Sequence, residues 1–564
     1  KLIARELSVK LNVASDFSTA LDWTQDALKD PSGVSYLDLN FDGIELLADI
    51  EIEIAETVLI AGQVELSVKT QTIDDGAIAA TDATVVTFKL SDGFFAAGVI
   101  DFTRDANNEL VKAPITRSLI DGGPTGVSDT FQGFYAAGVG FELALIARNA
   151  GSATIDGAPA FETWLAFRAT VENIDVRGLG GPDDFAIDGR DFLVTGNFAS
   201  VVDVVADPGA VPTVMNWKNL ADDLTGPQLD LTDAVLGLNG LEQFKIGGTL
   251  TLEITNAVYL TSAFSMAVAL DVPTDPVSGI NGDLILLTLS ETTFFAGGSA
   301  VFAEDAEGNL VVNRGNASGV YVENANLALG VLIDAGADVI DTTDDVTYIG
   351  LTGGFGLAQV LGLGNVEAQA NDVTVRYNAA IDDAGLPVTK LDWSTIDYTD
   401  AATALGDLST GTDFAVEGRI YFGDGLVYLG GGFSLATGSY TVSGSGLGAG
   451  FVANVTTFSI DDAALFAGVG GGFTYDVADP SLITGLIALE DLDGATGFDA
   501  TGVSAELGFI TEDAVAARSW TAIDARVGTA DLVGLPDGFV ASVKDVYFST
   551  NVADEISATK LNWN

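Results

Sequence analysis

Apolar and polar residues alternate along much of this chain. The stretch "ADIEIEIAETVLI" (48–60) sets Ile50, Ile52 and Ile54 on one side and Glu51 and Glu53 on the other. "GTLTLEITNAVYL" (248–260) and "ASVKDVYFST" (541–550) repeat the pattern. A period of two marks a strand with one face in water. Val, Ile, Thr, Phe and Tyr fill these segments, as pleated backbone favours. Turn clusters separate them: "DANNE" (105–109), "EDAEGN" (304–309) and "DDAGLP" (382–387). Helical spacing is confined to "TQDALKD" (24–30) and "TDAATALGDL" (399–408). The expected fold is all-β and mainly antiparallel, with very little helix.

The pattern also recurs on a longer scale. "TALDW", "TVMNW", "TKLDW" and "TKLNW" end at Trp23, Trp217, Trp393 and Trp563, at a near-constant interval. Trp164, Tyr348 and Trp520 each stand fourteen residues before a turn: "GLGG" (178–181), "GLGN" (362–365) and "GLPD" (534–537). An acidic residue and an asparagine six positions later recur as Glu6/Asn12, Asp191/Asn197, Asp372/Asn378 and Asp545/Asn551. Upstream come "FFAAGVIDF" (94–102), "FFAGGSAVF" (294–302) and "LFAGVGGGF" (465–473).

The anchors keep one order, which predicts tandem units. Residues 1–23 read as the terminal strand segment of a preceding repeat, followed by repeats at 24–217, 218–393 and 394–564. The expected architecture is an elongated array of such β-sheet repeats, sandwich or solenoid-like. In "LDW" the Leu and Trp share a face while the Asp turns away. Each Trp is expected to cap the core of its unit. The alternative is an aromatic platform for a sugar.

Composition narrows the chemistry. Hydrophobic residues make up 48% of the 564, ample for a buried core, yet 80 acidic residues against 23 basic give a net charge of −57. Such a surface repels nucleic acid and anionic lipid, and it attracts divalent cations and cationic partners. With no cysteine and no histidine, thiol chemistry, disulfides and a Ser-His-Asp triad are excluded. No apolar run is long enough for a membrane-spanning helix. The chain starts at Lys1 without a signal peptide and reads as a processed or excised piece of something longer.

Few residues suggest a site. "LDLNFDG" opens like a calcium loop, with Asp38, Asn40, Asp42 and Gly43, and Asp49 at the twelfth position where Glu is expected. "LEDLDGATGFD" offers a weaker set in Glu490, Asp491, Asp493 and Asp499. Calcium is the one cofactor these sets admit, against the plain reading of acidic turns. "SGSGLGAGF" (443–451) lacks the spacing of a phosphate loop and runs into a strand pattern. No catalytic residue is picked out.

The passage from "GVSAELGFITEDAVAARSW" through "GLPDGFVASVKDVYFSTNVADEISATKLNW" (502–563) resembles a repeat unit of giant secreted bacterial surface proteins, the adhesin- or haemagglutinin-like repetitive kind. The likeness covers the second half of each repeat. It implies an extracellular or cell-surface structural role and transfers no catalytic residues. The leading expectation is a non-enzymatic segment of a surface fibre, surface layer or adhesin stalk, with copies of itself or neighbouring repeats as partners and strand exchange as a route to assembly. The alternatives are a glycan- or calcium-binding adhesion module and an outer-membrane barrel. The barrel is disfavoured because charges interrupt both faces of many strands.

Overall fold

The computed structural model describes residues 2–12, 43–54, 58–73, 81–99, 117–118, 123–124, 132–155, 158–177, 185–201, 215–217, 241–254, 257–274, 280–298, 301–304, 310–314, 317–336, 345–442, 451–477, 479–487, 494–512, 518–536, 540–554 and 560–561. The described chain is all-β. Its strands are β1 (Leu2–Asn12), β2 (Gly43–Ile54), β3 (Val58–Ile73), β4 (Thr81–Val99), β5 (Arg117–Ser118), β6 (Gly123–Pro124), β7 (Gln132–Ile155), β8 (Ala158–Arg177), β9 (Phe185–Val201), β10 (Glu242–Ile254) and β11 (Val258–Pro273). There follow β12 (Asn281–Gly298), β13 (Val301–Glu304), β14 (Leu310–Asn313), β15 (Ser318–Asp334), β16 (Val346–Leu361) and β17 (Glu367–Asp382). A 3-10 turn (Trp393–Thr395) and the one described α-helix, α1 (Thr399–Leu405), come next. The chain closes with β18 (Phe414–Gly423), β19 (Val427–Val442), β20 (Phe451–Val469), β21 (Phe473–Tyr475), β22 (Ile483–Leu486), β23 (Thr496–Glu512), β24 (Ser519–Val533) and β25 (Ala541–Ala553).

The chain divides into two units. One holds Lys1–Thr255 with Ala263–Asp271, the other Asn256–Ser262 with Val272–Asn564. In the first, β1, β2, β3, β4, β7, β8, β9 and β10 pair in succession, each antiparallel to the next. In the second, β12, β15, β16, β17, β18, β19, β20, β23, β24 and β25 do the same. Each ladder is a meander of sequence neighbours, which antiparallel strands allow because a short turn suffices to join them. Three small hairpins, β5–β6, β13–β14 and β21–β22, stand outside the ladders.

Most breaks in the pairing fall at acidic residues or asparagine in one backbone conformation. Asp92, Asp191, Asp271, Glu291, Asn324, Asp372, Asp462 and Asp545 take a left-handed backbone, with φ between 47° and 53°. Asp and Asn tolerate that region better than bulkier residues. The pairing slips where they sit, for example between Asn371 and Thr374 around Asp372. A bulge of this kind adds a residue to one strand and turns the following side chains to the other face. The acidic anchors at Asp191 and Asp372 are thus register devices.

The wet and dry faces of β2 depart from the simple alternation. Glu51 is buried, whereas Ile50 and Ile52 are half-buried. The register against β3 sets Glu51 beside Ala61 on the covered face. Glu45 on the same strand is buried as well, and Lys69 Nζ lies 2.7 Å from its carboxylate, with Lys10 at 3.8 Å. Pairing with cations is what lets a carboxylate sit there. "TDAATALGDL" does contain α1, while "TQDALKD" and the glycines of 443–450 lie outside the described residues.

Candidate functional site

Trp217 and Trp393 are fully buried, at 0% exposure. Trp217 Nε1 donates to Asn197 Oδ1 at 2.8 Å, and Asn197 Nδ2 donates to the Met215 carbonyl at 2.9 Å. Trp393 Nε1 donates to Asn378 Oδ1 at 3.2 Å, and Asn378 Nδ2 donates to the carbonyls of Leu391 and Ser409, each at 2.9 Å. Asparagine suits this place because one planar group both accepts and donates. It binds the indole and also the backbone two residues before it. Asn551 Nδ2 donates in the same way to the Leu561 carbonyl at 2.7 Å. Leu561 precedes Trp563 by two, as Met215 and Leu391 precede their tryptophans. Trp563 and Trp23 themselves lie outside the described residues.

The floor beneath each clamp is a cross-strand row of small residues ending in the asparagine. It reads Ala144, Ala166, Asn197 across β7, β8 and β9. It reads Gly330, Gly350, Asn378 across β15, β16 and β17. It reads Gly508, Ala522, Asn551 across β23, β24 and β25. Size matters here: a Cβ on Gly350 would lie 2.5 Å from Trp393 Cε2, and one on Gly330 2.7 Å from Cζ3. The small row makes the recess and the Trp fills it.

The second set of aromatic anchors flanks these rows. Trp164, Tyr348 and Trp520 each stand two residues before the central small residue, hence on the same face, and all three are buried. Trp164 joins the core cluster of Trp217, with the Arg148 guanidinium 5.2 Å from its ring centroid. Trp520 stacks on Phe451 at 5.3 Å, and Arg518 lies over both rings while gripping Glu512 through two hydrogen bonds. That grip holds the Glu512 carboxyl below its usual range. The expectation that these tryptophans cap cores fits Trp217 and Trp393. Both indoles are fully buried and present no open face.

A further contact sits toward the opposite ends of the strands in the second unit. The β21–β22 hairpin docks on β16, β17 and β18. Ile483 exchanges two hydrogen bonds with the Gln369 side chain, at 3.0 and 2.9 Å. Gln359 Nε2 donates to the Ser481 carbonyl at 2.5 Å, and Tyr421 OH to the Thr484 carbonyl at 3.2 Å. Tyr475 OH donates to Glu367, and burial together with that carboxylate pushes its phenol up to about 12. Two glutamines facing each other across the ladder (Gln359 and Gln369) give the hairpin both donors and acceptors.

Two of the calcium candidates, Asp49 and Asp499, lie among the described residues. Asp38, Asn40, Asp42, Glu490, Asp491 and Asp493 lie outside the described residues. Asp49 lies in β2 opposite Arg5 and Gln63, and accepts from Gln63 Nε2 at 3.3 Å. Asp499 lies in β23, buried and directly across from Asp531 in β24. Burial and then Asp531 raise its carboxyl. Among the described residues no three acidic side chains come together as a metal site, and no helix is long and apolar enough to cross a membrane.

β25 is the most open ladder strand in the second unit. Ala541 through Ser549 are exposed, among them Val543, Val546, Tyr547 and Phe548. The chain matches no family model, no curated protein and no solved structure.

Proposed function

We propose that this chain is a non-enzymatic structural repeat protein of the cell surface or extracellular space, a segment of a fibre, layer or stalk that associates with copies of itself. The observation that carries the reading is the recurrence of one construction. Three times along the chain, a ladder strand with a left-handed acidic residue (Asp92, Glu291, Asp462) precedes a small hairpin. Three more ladder strands follow, the last with a left-handed Asp191, Asp372 or Asp545. Each time the Asn clamp closes the series. We read those series as parts of the repeats 24–217, 218–393 and 394–564. Successive like modules, two of which bury Trp217 and Trp393 as plugs, suit bearing load and setting spacing.

The clamps spend their polar groups on the protein's own backbone, which suits a mechanical role. Sedimentation velocity across a concentration series tests the reading. Because a net charge of −57 opposes contact between copies, we expect larger species to grow as salt rises and screens it. A chain that stays monomeric at every concentration and salt overturns the reading.

A further inference from the structure

The ladder of the second unit has two unlike faces. On one of them Trp393 and Leu405 of α1 press on Gly330, where a Cβ would lie 2.7 Å from the indole and 2.5 Å from the Leu405 side chain. A cross-strand row on that face runs Thr374, Glu417, Ser434, Ser459, Glu506 and Asp524. That face carries the charge and the plug.

Side chains alternate across a strand, so the residues in between belong to the other face. One row there crosses every ladder strand from β12 to β24, from Leu289 through Leu327, Val375, Leu435 and Leu507 to Ile523. It holds no polar side chain. The row beside it, from Leu287 through Leu351, Tyr377 and Phe414 to Phe509, adds threonines and no charge. Apolar part-rows from Ile285 and from Phe433 flank these two. Ile285 is 43% exposed, Tyr377 41% and Phe509 43%, and the rest of those named are half-buried. A solvated face of an antiparallel sheet is ordinarily polar, and a monomer rarely leaves an apolar patch above a few hundred Å² open. At ~4.8 Å between strands and ~6.8 Å between rows, this patch measures about 40 Å by 20 Å, or about 800 Å².

Resting on the self-association proposed above, we infer that this face pairs with the same face of a second copy, the two sheets packed ~10 Å apart as in a sandwich. About 800 Å² is what each partner of a specific interface buries. Charge selects the partner. Two chains of −57 repel wherever carboxylates meet, and these rows let them touch with none between. A basic partner is drawn to the charged face instead. A bilayer fits less well, because Glu291, Asp372 and Asp462 are exposed and border the rows within β12, β17 and β20. Hydrocarbon penalises a carboxylate there, whereas the polar rim of a protein interface accepts one. A contact that uses one patch on both copies closes at a pair, so it doubles a fibre or layer rather than lengthening it.

Sedimentation velocity at raised salt tests the face. Leu435→Glu sets carboxylate against apolar surface and its own mate, while Thr457→Glu adds the same charge to the opposite face, where Thr457 is exposed. Leu435→Glu is expected to weaken association by about tenfold or more, and Thr457→Glu to leave it unchanged. A second readout needs no added charge. The chain has no cysteine, so Leu435→Cys and Thr457→Cys each supply a single thiol. Labelling of Leu435→Cys by a polar maleimide is expected to slow about tenfold between dilute and associated chains, while Thr457→Cys labels at one rate.

Association with neither the Leu435→Glu loss nor the Leu435→Cys protection overturns the face and leaves self-association standing. Chains that never associate overturn both. Chains that stay monomeric in salt yet float with phosphatidylcholine vesicles, and lose this with Leu435→Glu, overturn the pairing in favour of a lipid surface.

Discussion

The residue on which the architecture turns is the asparagine of each clamp. Asn378 touches four things at once: the indole N–H of Trp393, the carbonyls of Leu391 and Ser409, and the small row beneath. Replacing Asn378 by Ala keeps the recess but strands one buried donor and two acceptors. Leaving a buried polar group unpaired costs about 1–3 kcal/mol, and the three share one site. We expect Asn378→Ala to destabilise the second unit by roughly 2–4 kcal/mol in urea unfolding, with Trp393 fluorescence shifting toward that of a wet indole. An unchanged midpoint would mean that the Trp is held by packing alone. The sequence shows both members of the pair, since Asn197, Asn378 and Asn551 each stand six residues after an acidic anchor and upstream of a Trp motif. It does not show that they touch, because the contact crosses a turn whose path only the fold defines. The small residues beneath were hidden for a related reason. Each reads as one more Ala or Gly until the ladders line them up.

At the level of elements, strands, turns and the helix at Thr399–Leu405 follow from alternation and turn chemistry. What escapes is the face each residue takes. Eight left-handed residues break the period of two in other strands, and in β2 alternation alone puts Glu51 in water although the register beside Ala61 sets it on the covered face. The cross-strand pair Asp499–Asp531 shows what such placement does. It occupies the position in β23 and β24 that Tyr321 and Gln359 hold in β15 and β16. Burial and the neighbouring Asp531 raise the Asp499 carboxyl above its ordinary value of 3.8. A raised acid favours the fold while protonated. Its contribution is complete below pH 3.8 and fades as pH climbs through the higher folded value. Asp499→Asn should therefore match the native chain in stability at the acid end of that window and exceed it at neutral pH. Thermal unfolding at both pH values reads this out. A gap that is constant with pH would show that the Asp499 charge does not matter.

For the whole molecule, composition and recurrence are what support the structural role proposed above. Acidic residues outnumber basic ones 80 to 23, and the aromatic plugs are spaced along the chain rather than gathered in one place. The sequence offered no way to choose between facing sheets and one continuous ladder, because both satisfy the same alternation. Pairing between successive strands within each unit is what distinguishes them. The central claim is that the chain is one mechanical module used three times, each closed by its own clamp. Pulling single molecules from both ends tests this most directly. The account predicts three unfolding steps of near-equal length, each on the order of 60 nm for about 175 residues at about 3.5 Å apiece. Asn378→Ala should weaken one of them. A single all-or-none rupture, or steps that bear no relation to the clamp spacing, would contradict it.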